Sequence, residues 1–113
     1  MKNEILNFVN YLKNIRKYSL NTTESYNKDL EIFFLFCESL KVNDIKQIDY
    51  QFLRKYLSYL YKCNYSKKSI SRNLSTLRSF FKYLISENKI NTNPMLLISN
   101  PKLDKKLPKF LYY

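Results

Sequence analysis

The chain reads as an all-α protein: a bundle of four main helices followed by an extended C-terminal linker. Three observations predict this. Apolar residues recur at three- and four-residue spacing along four segments, and no strand-like alternation persists. Three of those segments are preceded by Ser, Asn, Thr or Asp, the side chains that cap helix starts. With 113 residues, 45% of them hydrophobic and 17% aromatic, the chain can bury one modest core without staples.

The first helix is expected over about residues 3–17, with Ile5, Phe8, Val9 and Leu12 on one face. "SLNTTESY" then offers Ser19, Asn21 and Thr22 as capping choices for a second helix to about Leu40, burying Tyr26, Leu30, Phe33, Cys37 and Leu40. "KVNDIKQID" is a short connector, and Asp49 can cap a third helix to about Lys62, with Leu53, Tyr56, Leu57 and Leu60 inward. Ser66 caps the fourth, which extends to about Glu87. The chain has no glycine, so asparagine, the next most tolerant of the left-handed conformation, is assigned to the helix stops at Asn64 and Asn88. Pro94 cannot continue a helix and confirms the second stop; a short turn near 94–98 is allowed. The domain is expected to span residues 1–98, with 99–113 a linker that leads toward an absent domain.

Charge is segregated. Residues 1–49 carry seven basic and seven acidic side chains; residues 50–113 carry thirteen and two, so the whole net charge of +11 lies in the second part. Between Asp49 and Glu87 there are eight Lys or Arg and no acid. Compositional bias toward Lys, Asn, Ile and Tyr explains how many lysines there are, but not why one contiguous segment lacks acids. Such a field implies a polyanionic partner, DNA or RNA first and an acidic membrane surface second. No apolar run reaches the ~18 residues a membrane span needs. "MKNEILNFVNYLKN" is too polar for a signal peptide, and Cys37 and Cys63 stand apart without CxxC or histidine company, as isolated, reduced, packed thiols. The cytoplasm is the expected location. No metal or other cofactor is expected.

The segment "SKKSISRNLSTLRSFFKYL", residues 66–84, concentrates the question. On a helical wheel Ile70, Leu74, Leu77, Phe81, Leu84 and Ile85 share one arc. Lys68, Arg72, Ser75, Thr76, Ser79 and Lys82 share the opposite arc, with Arg78 on its flank. Short hydroxyl side chains let a helix approach a surface closely, and arginine can fork onto a phosphate or a base edge. Lys67 and Lys68 also stand at the helix N-terminus, where free amides and the dipole favour an anion. A solvated helix face would explain most charge runs, but not serines interleaved with cations and no acid. Thr22, Thr23 and Lys28 stand near the start of the second helix, as ordinary capping residues or as a clamp on a backbone phosphate.

The order of these features closely resembles the N-terminal core-binding domain of tyrosine recombinases, of the Xer type and the phage-integrase type. "SLNTTESYNKDLEIFFLFC" is similar to that family's serine–threonine–tyrosine–aspartate–leucine opening, at Ser19, Thr22, Tyr26, Asp29 and Leu30. "SKKSISRNLSTLRSFFKYLISENKINTNP" is similar to its serine–isoleucine–arginine–leucine–serine–leucine–arginine–phenylalanine helix, at Ser69, Ile70, Arg72, Leu74, Ser75, Leu77, Arg78 and Phe80. Asn93–Pro94 and the "PK" and "LP" pairs resemble the exit toward the catalytic domain. Essentially the whole chain is covered. The departures are the two asparagines, Asn64 and Asn88, where relatives usually place glycine.

The resemblance implies a SAM-like helical bundle that forms half of a C-shaped clamp around double-stranded DNA, with the second and fourth helices facing the major groove of a recombination half-site. It implies backbone contacts from Thr22 and Thr23, and a groove-facing set of Lys67, Lys68, Arg72, Ser75, Thr76 and Arg78. The flank position of Arg78 suits an intramolecular pair as well. Lys28, Lys82 and Lys102 complete the expected DNA-binding residues. The catalytic residues of such enzymes lie in a separate C-terminal domain, and a chain with no histidine cannot supply that site. Tyr112 and Tyr113 lack the cationic companions a nucleophilic tyrosine needs. The expectation is therefore a non-catalytic piece whose parent assembles as a tetramer on paired sites, while the isolated domain is a monomer that does not bind membranes. A stand-alone regulator of the same fold, and a basic helical scaffold that docks on an acidic surface, are the other readings.

Overall fold

A computed structural model describes residues 1–101 of the chain. Its elements are α1 (Lys2–Asn14), α2 (Leu20–Ser39), a 3-10 turn (Ile45–Gln47), α3 (Tyr50–Lys62) and α4 (Lys67–Ser86). No strand occurs among the described residues. The all-α bundle of four main helices is therefore what the described residues form.

The helix starts follow local chemistry. Ser19 Oγ accepts from the Thr22 amide at 3.2 Å, Asp49 Oδ1 from the Phe52 amide at 2.8 Å, and Ser66 Oγ from the Ser69 amide at 3.1 Å. Each satisfies an amide that the first turn leaves without a partner. The connector "KVNDIKQID" holds one more start: Asp44 caps the 3-10 turn, and Gln47 Oε1 accepts from the Asp44 amide at 3.1 Å to close a capping box.

The stops use four left-handed residues, Lys17, Lys41, Asn64 and Asn88, with φ between 58° and 65°. The two asparagines stand where expected. At Asn88 the amide donates to Ile85 O at 3.0 Å and the next amide, of Lys89, to Leu84 O at 2.9 Å. Asn64–Tyr65 and Lys41–Val42 repeat that paired pattern. The two lysines were not anticipated, and Lys17 ends α1 about three residues earlier than the apolar spacing suggests.

The core gathers Phe8 and Leu12 of α1, Leu30, Phe33 and Cys37 of α2, Leu53, Tyr56 and Leu60 of α3, and Ile70, Leu74, Leu77, Phe80, Phe81 and Leu84 of α4. Phe33 and Tyr56 meet edge to face at 4.9 Å between ring centroids. Helix α4 is central and touches each of the other three. After α4 a turn over 94–97 returns Met95 and Ile98 into the core. Leu40 is a correction: it lies past the end of α2 and is 47% exposed, while Phe36, one turn earlier, takes the buried position. Tyr26, Leu57 and Ile85 are half-buried rather than fully inward. Cys37 is buried as expected, but Cys63, at the C-cap of α3, is exposed and not packed.

Candidate nucleic-acid interface

Because three helices pack on α4, its buried arc is wider than the ~100° stripe of a surface helix. Asn73 and Thr76 fall inside it, 3% and 4% exposed. What remains outward is a narrow ridge: Lys67, Lys68, Arg72, Ser75 and Lys82 are exposed, and Ser71, Arg78 and Ser79 are half-buried. The start of α2 lies alongside, with Thr22, Ser25 and Lys28 exposed. Between the two helices runs a cleft of about 230 Å³, lined by Thr22, Ser25, Tyr26, Arg72 and Ser75, with Asp29 and Thr76 at its floor. The fold thus joins the two segments singled out by sequence.

Four of the expected DNA contacts need revision or qualification. Thr23 is buried, and its hydroxyl donates to Ser19 O at 2.9 Å, so it stabilises the first turn of α2 instead of facing outward. Thr76 is buried and donates to Asp29 Oδ2 at 2.8 Å; it lies between α4 and α2. Arg78 is turned toward the exit segment: its Nη2 donates to Ile98 O at 2.7 Å and its Nη1 to Asn100 Oδ1. The alternative of an intramolecular pair describes it. Asn100 in turn donates to Ser71 Oγ at 2.7 Å, which ties the chain after Ile98 to α4. Lys102 lies outside the described residues.

Arg72 is exposed but not alone. Its Nη2 donates to Asp29 Oδ1 at 2.8 Å and its Nε to Asp29 Oδ2 at 3.2 Å. The arginine side chain is 57% exposed and the carboxylate 1%, so Asp29 lies beneath the ridge and does not cover it. Hydrogen bonding to Asp29 raises the Arg72 pKa further, and the guanidinium stays charged. Among the described residues no carboxylate pairs with Lys67, Lys68 or Lys82. The partner of Arg72 that sequence reading passed over is Asp29. Its signal was present: a carboxylate on the apolar arc of α2, between Tyr26 and Phe33, requires a cation to face it.

A larger depression of about 700 Å³ lies between α2 and α3, bordered by Phe36, Leu40, Arg54, Tyr59 and Lys62. It takes nothing from α4. No described helix is long and apolar enough to cross a membrane.

The bundle thus sets a cationic, hydroxyl-bearing central helix beside the start of a second helix. The phage integrase N-terminal SAM-like domain family matches residues 5–88, and the chain belongs to that family. It is similar to the tyrosine recombinase XerC of Halalkalibacterium halodurans, 42% identical over 105 residues that make up 93% of this chain and 35% of that protein. The tyrosine recombinase XerC of Leptospira interrogans serovar Lai is 44% identical over 103 residues, covering 90% of this chain and 33% of the relative. That of Natranaerobius thermophilus is 38% identical over 112 residues, 98% and 38% respectively. The chain thus spans about a third of the length of the curated relatives it matches. No solved structure matches it.

Proposed function

We propose that this chain is a non-catalytic DNA-binding module of a tyrosine recombinase, gripping duplex DNA at a recombination half-site as one half of a clamp. The exposed ridge of α4 enters the major groove, which admits one helix of this width. Lys67, Lys68 and Lys82 meet phosphates, Ser75 allows close approach, and Thr22 and Lys28 at the start of α2 hold the backbone alongside. Phosphate contacts supply affinity and register, and the side chains at the centre of the ridge supply selectivity. The single observation that carries the reading is the cleft where Thr22, Arg72 and Ser75 converge, outward-facing and without an acid over it.

Strand exchange on this reading belongs to a separate domain of the parent protein, which assembles as a tetramer on paired sites in the cytoplasm, whereas the isolated module is monomeric. Similarity to tyrosine recombinases supports this assignment. The test is a fluorescence titration of the chain with a palindromic recombination site and with scrambled duplex over a salt series. With about six phosphates neutralised, affinity falls roughly a thousandfold from low to moderate salt. Binding that ignores salt, or stronger binding to anionic vesicles at equal salt, would reject it.

A further inference from the structure

Asp29 is a buried carboxylate, and each of its oxygens is engaged. Oδ1 takes Arg72 Nη2, Oδ2 takes Arg72 Nε and Thr76 Oγ1, and the main-chain oxygen accepts from Asn73 Nδ2 at 3.4 Å. Asn73 is itself held by the Tyr56 hydroxyl at 2.8 Å. Arg72 and Thr76 of α4 therefore hold the carboxylate, while Asn73, itself fixed by Tyr56 of α3, holds the main chain that carries it.

The consequence falls on Arg72. A guanidinium carries five coplanar N–H groups. Asp29 takes one from Nε and one from Nη2, which orients the plane and leaves about three donors, on Nη1 and on the far side of Nη2. No other acceptor among the described residues takes them. That free edge belongs to a half-exposed side chain lining the cleft beside Thr22 and Ser75. An adjacent carboxylate offsets much of the charge that draws an unpaired arginine to any phosphate, while the directional hydrogen bonds remain. Such an edge fits a rigid pair of acceptors, and the N7 and O6 atoms of guanine in the major groove are one.

We propose that Asp29 is a positioning and specificity-determining residue, which presents the free edge of Arg72 to a guanine instead of letting it pair with phosphate. The inference rests on the reading of α4 as the DNA face.

The experiment selects a preferred duplex from a randomised pool with the full chain, then compares its affinity with that of a scrambled duplex. Wild type discriminates about 10- to 100-fold, and 7-deazaguanine at the selected guanine removes most of that ratio. Asp29→Asn binds scrambled duplex more tightly, having lost a negative charge, yet its ratio falls below about threefold. Arg72→Lys keeps a cation over Asp29 but lacks the fork, and loses the ratio to the same extent. Should Asp29→Asn not fold, Arg72→Lys and the 7-deazaguanine duplex decide the matter. Asp29→Asn that folds and discriminates like wild type, or weakens both duplexes equally, makes Asp29 a structural tie only and overturns the proposal. Wild type that binds duplex without guanine preference overturns this assignment alone. Wild type that binds no duplex overturns the DNA reading, and this proposal with it.

Discussion

The Tyr56 hydroxyl of α3 donates to Asn73 Oδ1 of α4 at 2.8 Å, and both side chains are almost completely buried. Asn73 passes this link on to the Asp29 carbonyl of α2, so one polar chain crosses the apolar core and ties three helices. Burial pushes the Tyr56 pKa far up, keeping the hydroxyl a donor. Tyr56→Phe leaves Asn73 Oδ1 buried without its donor, at a cost of about 1–3 kcal/mol. A urea midpoint lowered accordingly, with an unchanged slope, is the expected result.

Thr22 and Thr23 are neighbours with opposite exposures. Thr22 faces the cleft, and Thr23 is closed into the first turn of α2. Thr22→Ala is expected to weaken duplex binding several-fold, about 1 kcal/mol for one lost hydrogen bond to an anion. Thr23→Val is expected to leave duplex affinity within error. Anisotropy titrations of the two variants in parallel check the contrast.

Lys41 ends α2 at φ 60°, where a Cβ is unfavourable. Its amide bond to Glu38 O needs no side chain. Lys41→Gly should therefore raise stability, by up to about 1 kcal/mol, because the strain relieved is larger than the added chain entropy. Thermal melts of the two proteins provide the comparison, and a lower melting temperature for the glycine variant would argue against the left-handed stop.

Cys37 and Cys63 differ in the same way as the two threonines. Burial pushes the Cys37 thiol from 9.0 up to about 12. The folded value lies above the unfolded one, so the neutral thiol is the form that favours folding. That contribution is complete below pH 9 and is lost as pH rises from 9 toward about 12. Cys37→Val should flatten the decline of the urea midpoint across this window. A thiol reagent at pH 8 should label exposed Cys63 in the native protein, and Cys37 only on unfolding.

How much of this was legible in the sequence depends on how local each cause is. Ser19, Asp49 and Ser66 cap their helices through amides three residues away, so composition alone exposes them. Asn64 and Asn88 were legible because their residue type tolerates a positive φ; Lys17 and Lys41 were not, because lysine does not advertise it. The α4 wheel placed Arg72 and Ser75 outward correctly but misplaced Thr76. A single-helix wheel assumes one packing partner, and α4 has three. The Arg72–Asp29 pair spans 43 residues, beyond any local pattern. Its only trace was polar residues on apolar arcs, Asp29 on α2 and Asn73 on α4. The turn of Arg78 toward Ile98 and Asn100 depends on where the chain returns after Pro94, which periodicity does not encode.

The most direct test of the central claim is the affinity of Lys68→Ala/Arg72→Ala/Ser75→Ala for duplex DNA, measured across a salt series against wild type. The account predicts at least a tenfold loss at low salt and a shallower salt slope, by about one unit, with the helical fold retained. Unchanged affinity and an unchanged slope in a folded triple variant would remove α4 from the interface.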